Sequence, residues 1–242
     1  MRRHELERTN RDFYESLWGD AQLINPERFN TWPLVESVVR ADSRCLEVAP
    51  GLRPRLPLAG TRFVDMSERA VARLREAGAS AEIGTIDRLP FANEAFDLVC
   101  AMDIIEHIAD DAGALRELTR VLAPRGTLLL SVPLHESHWT AFDDFVGHCR
   151  RYEPAALTAL LAQCGLRIER SAVYGMQPRS SHLLDLGLWY LVNQRERAMW
   201  WYNRVFMPLA VRLQKPLKWV EGLIADEDVD EVLILCRPAH AA

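Results

Sequence analysis

Several large classes of protein need features that this sequence of 242 residues lacks. It has no clean apolar run of the roughly 18 residues that a membrane-spanning helix requires. Its opening, MRRHELERTNRD, has no apolar core, so a secretory leader is not expected. The five cysteines, Cys45, Cys100, Cys149, Cys164 and Cys236, are scattered, odd in number and never in a C-x-x-C pair. That argues against a disulfide framework and fits a reducing cytoplasm, the expected location. A zincin motif and a nucleophile triad are absent. His135, His138 and His148 could join Asp143 and Asp144 around an ion, but no metal is expected from so loose a pattern. The net charge of −5 gives no basic surface for nucleic acid, which is not expected as a partner. Apolar content of 49% is ample for one α/β domain with an elaboration.

What is present centres on Arg44 to Pro57, RCLEVAPGLRPRLP, and on TRFVDMSERAV at Thr61 to Val71. Cys45, Leu46 and Val48 suit a buried parallel strand. Gly51 falls where the chain must turn closely. Phe63 and Val64 make a second strand that ends in Asp65, and Ser67 caps a helix that stops before Gly78. Open α/β sheets bind ligands at the carboxyl ends of their strands. An acid there can accept both hydrogen bonds of a ribose diol, so Asp65, with Glu47 beside the loop, points to a nucleoside-containing ligand.

At these residues the chain resembles the class I S-adenosylmethionine-dependent methyltransferases, and most closely their broad type 11 small-molecule branch. The resemblance implies a Rossmann-like α/β fold: a seven-stranded, mostly parallel sheet with helices on both faces and a helical insertion before the last strand. It implies S-adenosylmethionine as cofactor, held by Glu47, Ala49, Gly51, Arg53, Asp65, Met66, Thr85, Ile86 and Met102. The family's loop carries three alternating glycines after its acid. Here Glu47-Val48-Ala49-Pro50-Gly51-Leu52-Arg53 keeps only the middle one. Pro50, Pro54 and Pro57 stiffen the loop, and Arg53 and Arg55 bring charge that could meet the methionine carboxylate. The acid expected to meet the adenine amino group is replaced by Thr85.

Further along, Ala81 to Ile83 reads as the third strand and Phe96 to Ala101 as the fourth, with Met102, Asp103, Glu106 and His107 at its carboxyl end. Ala112, Leu115, Leu118, Val121 and Leu122 give a helix an apolar face. Ala123 to Gly126 reads as a turn before the fifth strand, Thr127 to Val132. The polar and aromatic stretch after Pro133 is a natural substrate-side loop. Its Gly-His-Cys-Arg-Arg-Tyr segment, Gly147 to Tyr152, resembles a segment of small-molecule members of the family. Candidate catalytic residues are His148 first, then His138 and His107; the alternative is that His148, Arg150 and Arg151 lock the loop to the sheet. Trp139 and Tyr152 are candidate substrate contacts, with Tyr14 and Trp18 from the N-terminal segment.

The expected domain organisation is an N-terminal helical cap over 1–43, a Rossmann-like cofactor-binding core over 44–174, an insertion over 175–229, and the last strand and tail over 230–242. The insertion holds four of the seven tryptophans, Trp189, Trp200, Trp201 and Trp219, together with basic residues. A substrate lid, a homodimer contact and a membrane-surface contact through 182–220 all fit that composition. The expected activity is in-line methyl transfer to a small or amphiphilic molecule. The alternative is a non-catalytic or repurposed member of the fold that binds a partner protein or another nucleoside ligand.

Overall fold

The computed structural model describes residues 21–175, 187, 189–190 and 193–239. One sheet runs through the molecule in the order β3-β2-β1-β4-β5-β8-β6-β7. Its strands are β1 (Cys45–Val48), β2 (Thr61–Asp65), β3 (Ser80–Ile83), β4 (Phe96–Met102), β5 (Leu122–Pro133), β6 (Leu166–Tyr174), β7 (Val220–Glu221) and β8 (Glu231–Pro238). The first five are mutually parallel, and β8 lies antiparallel between β5 and β6. The chain winds from β1 out to β3, then returns to lay β4 on the other side of β1. That reversal opens a crevice at the carboxyl ends of β1 and β4.

Local chemistry explains the elements. All four residues of β1 are buried, as a strand covered on both faces demands. Helix α1 (Trp32–Glu36) packs Val35 against Cys45, Leu98 and Cys100 on one face of the sheet. Ser67 caps α2 (Glu68–Glu76), its hydroxyl accepting from Ala70 N at 3.1 Å. Helix α3 (Asp111–Val121) buries Ala114, Leu115, Leu118 and Val121 against the opposite face. Short helix α4 (Ala141–Val146) starts with a Thr140–Asp143 capping box and ends at left-handed Gly147. Pro154 opens α5 (Pro154–Gln163).

Two features differ from the sequence reading. The sheet has eight strands, because Val220 and Glu221 pair with Ser171 and Arg170 inside the expected helical insertion. The turn expected at Ala123 to Gly126 is instead part of β5. The register jumps from Phe96↔Leu122 to Leu98↔Thr127, so these residues are absorbed as a bulge. The insertion's helices, α6 (Arg195–Trp201) and α7 (Met207–Leu213), are joined by a π-helical turn. Among the described residues, no helix is long and apolar enough to cross a membrane.

Candidate active site

Left-handed backbone collects at the strand ends. Ala49 (φ 55°) and Gly51 (φ 54°) follow β1, Asp103 (φ 52°) follows β4, and His135 (φ 59°) follows β5. A residue with a Cβ pays roughly 1 kcal/mol or more for this conformation. The loop after β1 therefore keeps a glycine-type shape at Ala49 although the glycine itself is gone. Two buried acids hold it. Glu47 accepts from Arg55 N (2.8 Å) and Leu56 N (2.9 Å), and Asp65 accepts from Gly51 N (2.9 Å) and Ser67 N (2.8 Å). Burial pushes the Glu47 carboxyl up to about 7 against the pull of those backbone donors.

Arg55 is 6% exposed. Its guanidinium lies 3.8 Å from the centre of the Phe29 ring, and Nη2 donates to the Tyr174 hydroxyl at 2.9 Å. Nη1 is buried and has no hydrogen-bond partner among the described residues. Tyr174 in turn donates to Asp103 at 3.4 Å, and the Ser131 hydroxyl closes on the other Asp103 oxygen. A chain of polar groups thus crosses the crevice from β1 to β4, β5 and β6.

Beyond β4, the single turn Ile105–His107 brings Glu106 and His107 against His148. The two imidazoles stack edge to face with centroids 4.6 Å apart, and His148 Nε2 lies 3.9 Å from Glu106 Oε1. Glu106 is 1% exposed, and its Oε2 has no partner among the described residues. Burial, then the charge of Asp103, push the Glu106 carboxyl well above its usual range. Burial, reinforced by His148, lowers His107 to about 3, so this imidazole is neutral.

The Gly147 to Tyr152 segment is a clamp. Arg151 is 2% exposed and bonds Asp143 through Nε (2.9 Å) and Nη2 (3.2 Å), Leu134 O (3.2 Å) and Asp230 (2.8 Å). Arg150 donates to Ile108 O and Ala109 O. Burial alone would raise Asp143, but bonds from His148, Arg151 and Thr140 outweigh it and hold the carboxyl below its usual range. Tyr152, expected to meet substrate, is instead a core side chain. It is buried in the α3 cluster, and its hydroxyl donates to Asp111 at 3.0 Å. His138 is also displaced from the site expected of it. Its Nδ1 lies 3.4 Å from Asp230 Oδ1, and with His135 it lines a separate surface cavity that also includes Glu153, Thr158 and Leu223. Trp139 is exposed on the same connection.

The comparisons with known proteins fit this geometry. The type 11 family model for a methyltransferase domain matches residues 52–130. A Mycolicibacterium smegmatis protein described as "Probable S-adenosylmethionine-dependent methyltransferase" is 32% identical over 112 residues, which are 44% of this chain. The match spans only 43% of that relative's length. Over that segment the chain is similar to S-adenosylmethionine-dependent methyltransferases. Solved structures share the fold. One is an S-adenosylmethionine-dependent methyltransferase of Thermotoga maritima described as a possible histamine N-methyltransferase. It superposes with a TM-score of 0.56 at 17% identity, over 88% of this chain and 91% of that one. Another, the [4+2]-cyclase SpnF, gives 0.54 at 18% identity, over 86% and 79%.

The family's cofactor is S-adenosylmethionine, and the remaining expected contacts can be located on the methyltransferase fold. Met66 is half-buried just after Asp65, Thr85 is exposed, and Ile86 packs with Val48 and Val64 in the core. Met102 packs toward Val35 and Trp219 on the α1 face. Arg53 is half-buried, its guanidinium 5.1 Å from the Tyr202 ring centre. Tyr14 and Trp18 lie outside the described residues. The sequence reading passed over Phe29 and Tyr174 as site residues and met Asp143 only as a loose candidate around an ion. Asp143 was visible as the acid five residues before His148. Phe29 and Tyr174 reach the site only through the tertiary fold.

Proposed function

We propose that this chain is a methyltransferase that moves a methyl group from S-adenosylmethionine to a small or amphiphilic molecule. The observation that carries the reading is the buried, unpartnered Nη1 of Arg55 beside the Ala49–Gly51 turn. An orphaned guanidinium nitrogen is costly unless an anion completes it, and a carboxylate-bearing ligand does so. Asp65 and Glu47 lie on the same crevice, which suits a ligand that carries hydroxyls at one end and a carboxylate at the other.

When bound, S-adenosylmethionine supplies a methyl group activated on a sulfonium. This chain's residues bind, orient and exclude water. Ala49 and Gly51 let the backbone approach, Asp65 receives the ribose, and Arg55 takes the carboxylate. Ile86 and Met66 offer apolar surface, and Thr85 one polar contact. Methyl transfer depends mainly on alignment of acceptor and donor. Glu106, His107 and His148 form the polar end that meets the acceptor atom, and a base matters only for an acceptor that arrives protonated.

The insertion acts as a lid in this account. Met207 and Val211 of α7 pack on Phe29, the residue beneath Arg55, and Asn30 bonds Gln214 and Lys215 O, both at 2.8 Å. Trp200, Trp201, Phe206, Leu209 and Leu213 of this segment are exposed, apolar surface that suits an amphiphilic acceptor. The cyclase on the same fold supports a second reading, in which the site serves other chemistry. Incubation with methyl-labelled S-adenosylmethionine and extracted small molecules separates the two. Label in an organic product is expected. Cofactor binding without label in any acceptor would support the second reading.

A further inference from the structure

The cluster beyond β4 has a chemistry that methyl transfer does not require. Glu106, His107 and His148 each present a ligand atom within 4.8 Å of the other two. Both histidines are held by an acceptor on the far side of the ring. Gly147 O, which can only accept, lies 3.3 Å from His107 Nδ1. Asp143 Oδ1 lies 2.8 Å from His148 Nδ1, and the same oxygen pairs with the buried Arg151. Gly147 O thus fixes a proton on His107 Nδ1, and Asp143 holds the His148 ring by its Nδ1 with Nε2 toward Glu106. Carbonyl and carboxylate groups orient metal-binding histidines in this way. His148 Nε2 faces the Glu106 carboxyl group, whose Oε2 is buried and unpartnered among the described residues. A buried carboxyl oxygen without a partner is costly, and a cation held by this cluster would complete it.

We propose that Glu106, His107 and His148 form a binding site for one divalent cation. Two imidazoles and one carboxylate select a first-row ion of borderline softness, such as zinc, iron(II) or cobalt, over magnesium. Ligand atoms about 2.1 Å from a zinc ion stand roughly 3.4 Å from each other. The His148–Glu106 separation of 3.9 Å needs only a small rotamer adjustment to reach that. The site is not the one the sequence spacing suggested, because the fold sends His135 and His138 to another cavity and leaves His148 with the Glu106-His107 pair. Three protein ligands leave a coordination position for an oxygen- or nitrogen-bearing acceptor. That role, unlike the site itself, rests on the reading of this edge as the acceptor end.

Cobalt titration of chelator-treated protein tests the site without any assay of turnover. We expect visible d–d absorption that saturates at one equivalent, is reversed by zinc and is unaffected by magnesium. Glu106→Gln and His148→Asn, each checked for folding by circular dichroism, should each abolish it. Absence of a saturable band in the wild type would overturn the proposal. So would a band that survives in both variants, which would place the cobalt at His135 and His138 or elsewhere. Cofactor calorimetry on the same samples reports separately on the methyltransferase reading.

Discussion

His148 Nδ1 sits 2.8 Å from Asp143 Oδ1, and the same oxygen takes the Nε of the buried Arg151 at 2.9 Å. One carboxylate thus orients an imidazole at the site and anchors the clamp that ties α4 to the ends of β5 and β8. Asp143 has no exposed surface, and its other oxygen caps Thr140.

Asp143→Asn places an amide NH₂ against a buried guanidinium. Removal of one partner from a buried ion pair costs about 3–5 kcal/mol. For a domain of this size that lowers Tm by roughly 10 °C or more. Differential scanning calorimetry of the variant checks this. An unchanged Tm would mean that Arg151 finds full compensation at Leu134 O and Asp230.

Ala49 holds a left-handed conformation that glycine adopts without strain. Ala49→Gly should stabilise the protein by about 1 kcal/mol, or raise Tm by roughly 2–4 °C. It should leave cofactor affinity nearly unchanged, because the backbone shape is already in place. A lower Tm would show that the Ala49 methyl contributes packing worth more than the strain it causes.

Arg55→Met should weaken binding of S-adenosylhomocysteine at least tenfold. It should barely affect methylthioadenosine, which has the nucleoside but no carboxylate. Isothermal titration of both ligands on both proteins separates a carboxylate contact from a general loss of the loop. Equal losses for the two ligands would remove Arg55 from the carboxylate.

Glu47 gives a pH dependence whose sign follows from its shift. Its folded pKa of about 7 lies above the ordinary 4.5, so the folded state holds more protons between those values. Its contribution to stability is therefore greatest at acid pH and is lost as pH rises from about 4.5 to 7, by on the order of 3 kcal/mol. Urea melts of wild type and Glu47→Gln across that window should differ in slope, with the variant flatter. Parallel curves would mean that Glu47 is ionised throughout.

Most of the fold was legible in the sequence because the buried strands write themselves as apolar runs. Cys45 to Val48, Phe96 to Ala101 and Val232 to Cys236 lie in the strands expected of them. The bulge in β5 was not legible, since Ala-Pro-Arg-Gly has the composition of a turn and only pairing with β4 reveals the bulge. The loop was legible where one residue and its neighbours fix the geometry, as for Glu47, Gly51 and Asp65, which meet at the end of β1. It was obscure where distant segments meet. Tyr174 bonds Arg55 across 119 positions, and no local pattern encodes that. Tyr152 misled because a motif aromatic on a polar loop reads as a contact surface, yet its ring completes the core beneath that loop.

The central claim is that the crevice at β1 and β2 binds the adenosyl cofactor despite its altered loop. Calorimetric titration with S-adenosylhomocysteine, wild type beside Asp65→Ala, tests it most directly. The account predicts micromolar binding by the wild type, at least tenfold weaker binding by the variant, and matching circular dichroism spectra. No heat from the wild type, or equal affinity in the two proteins, would contradict it.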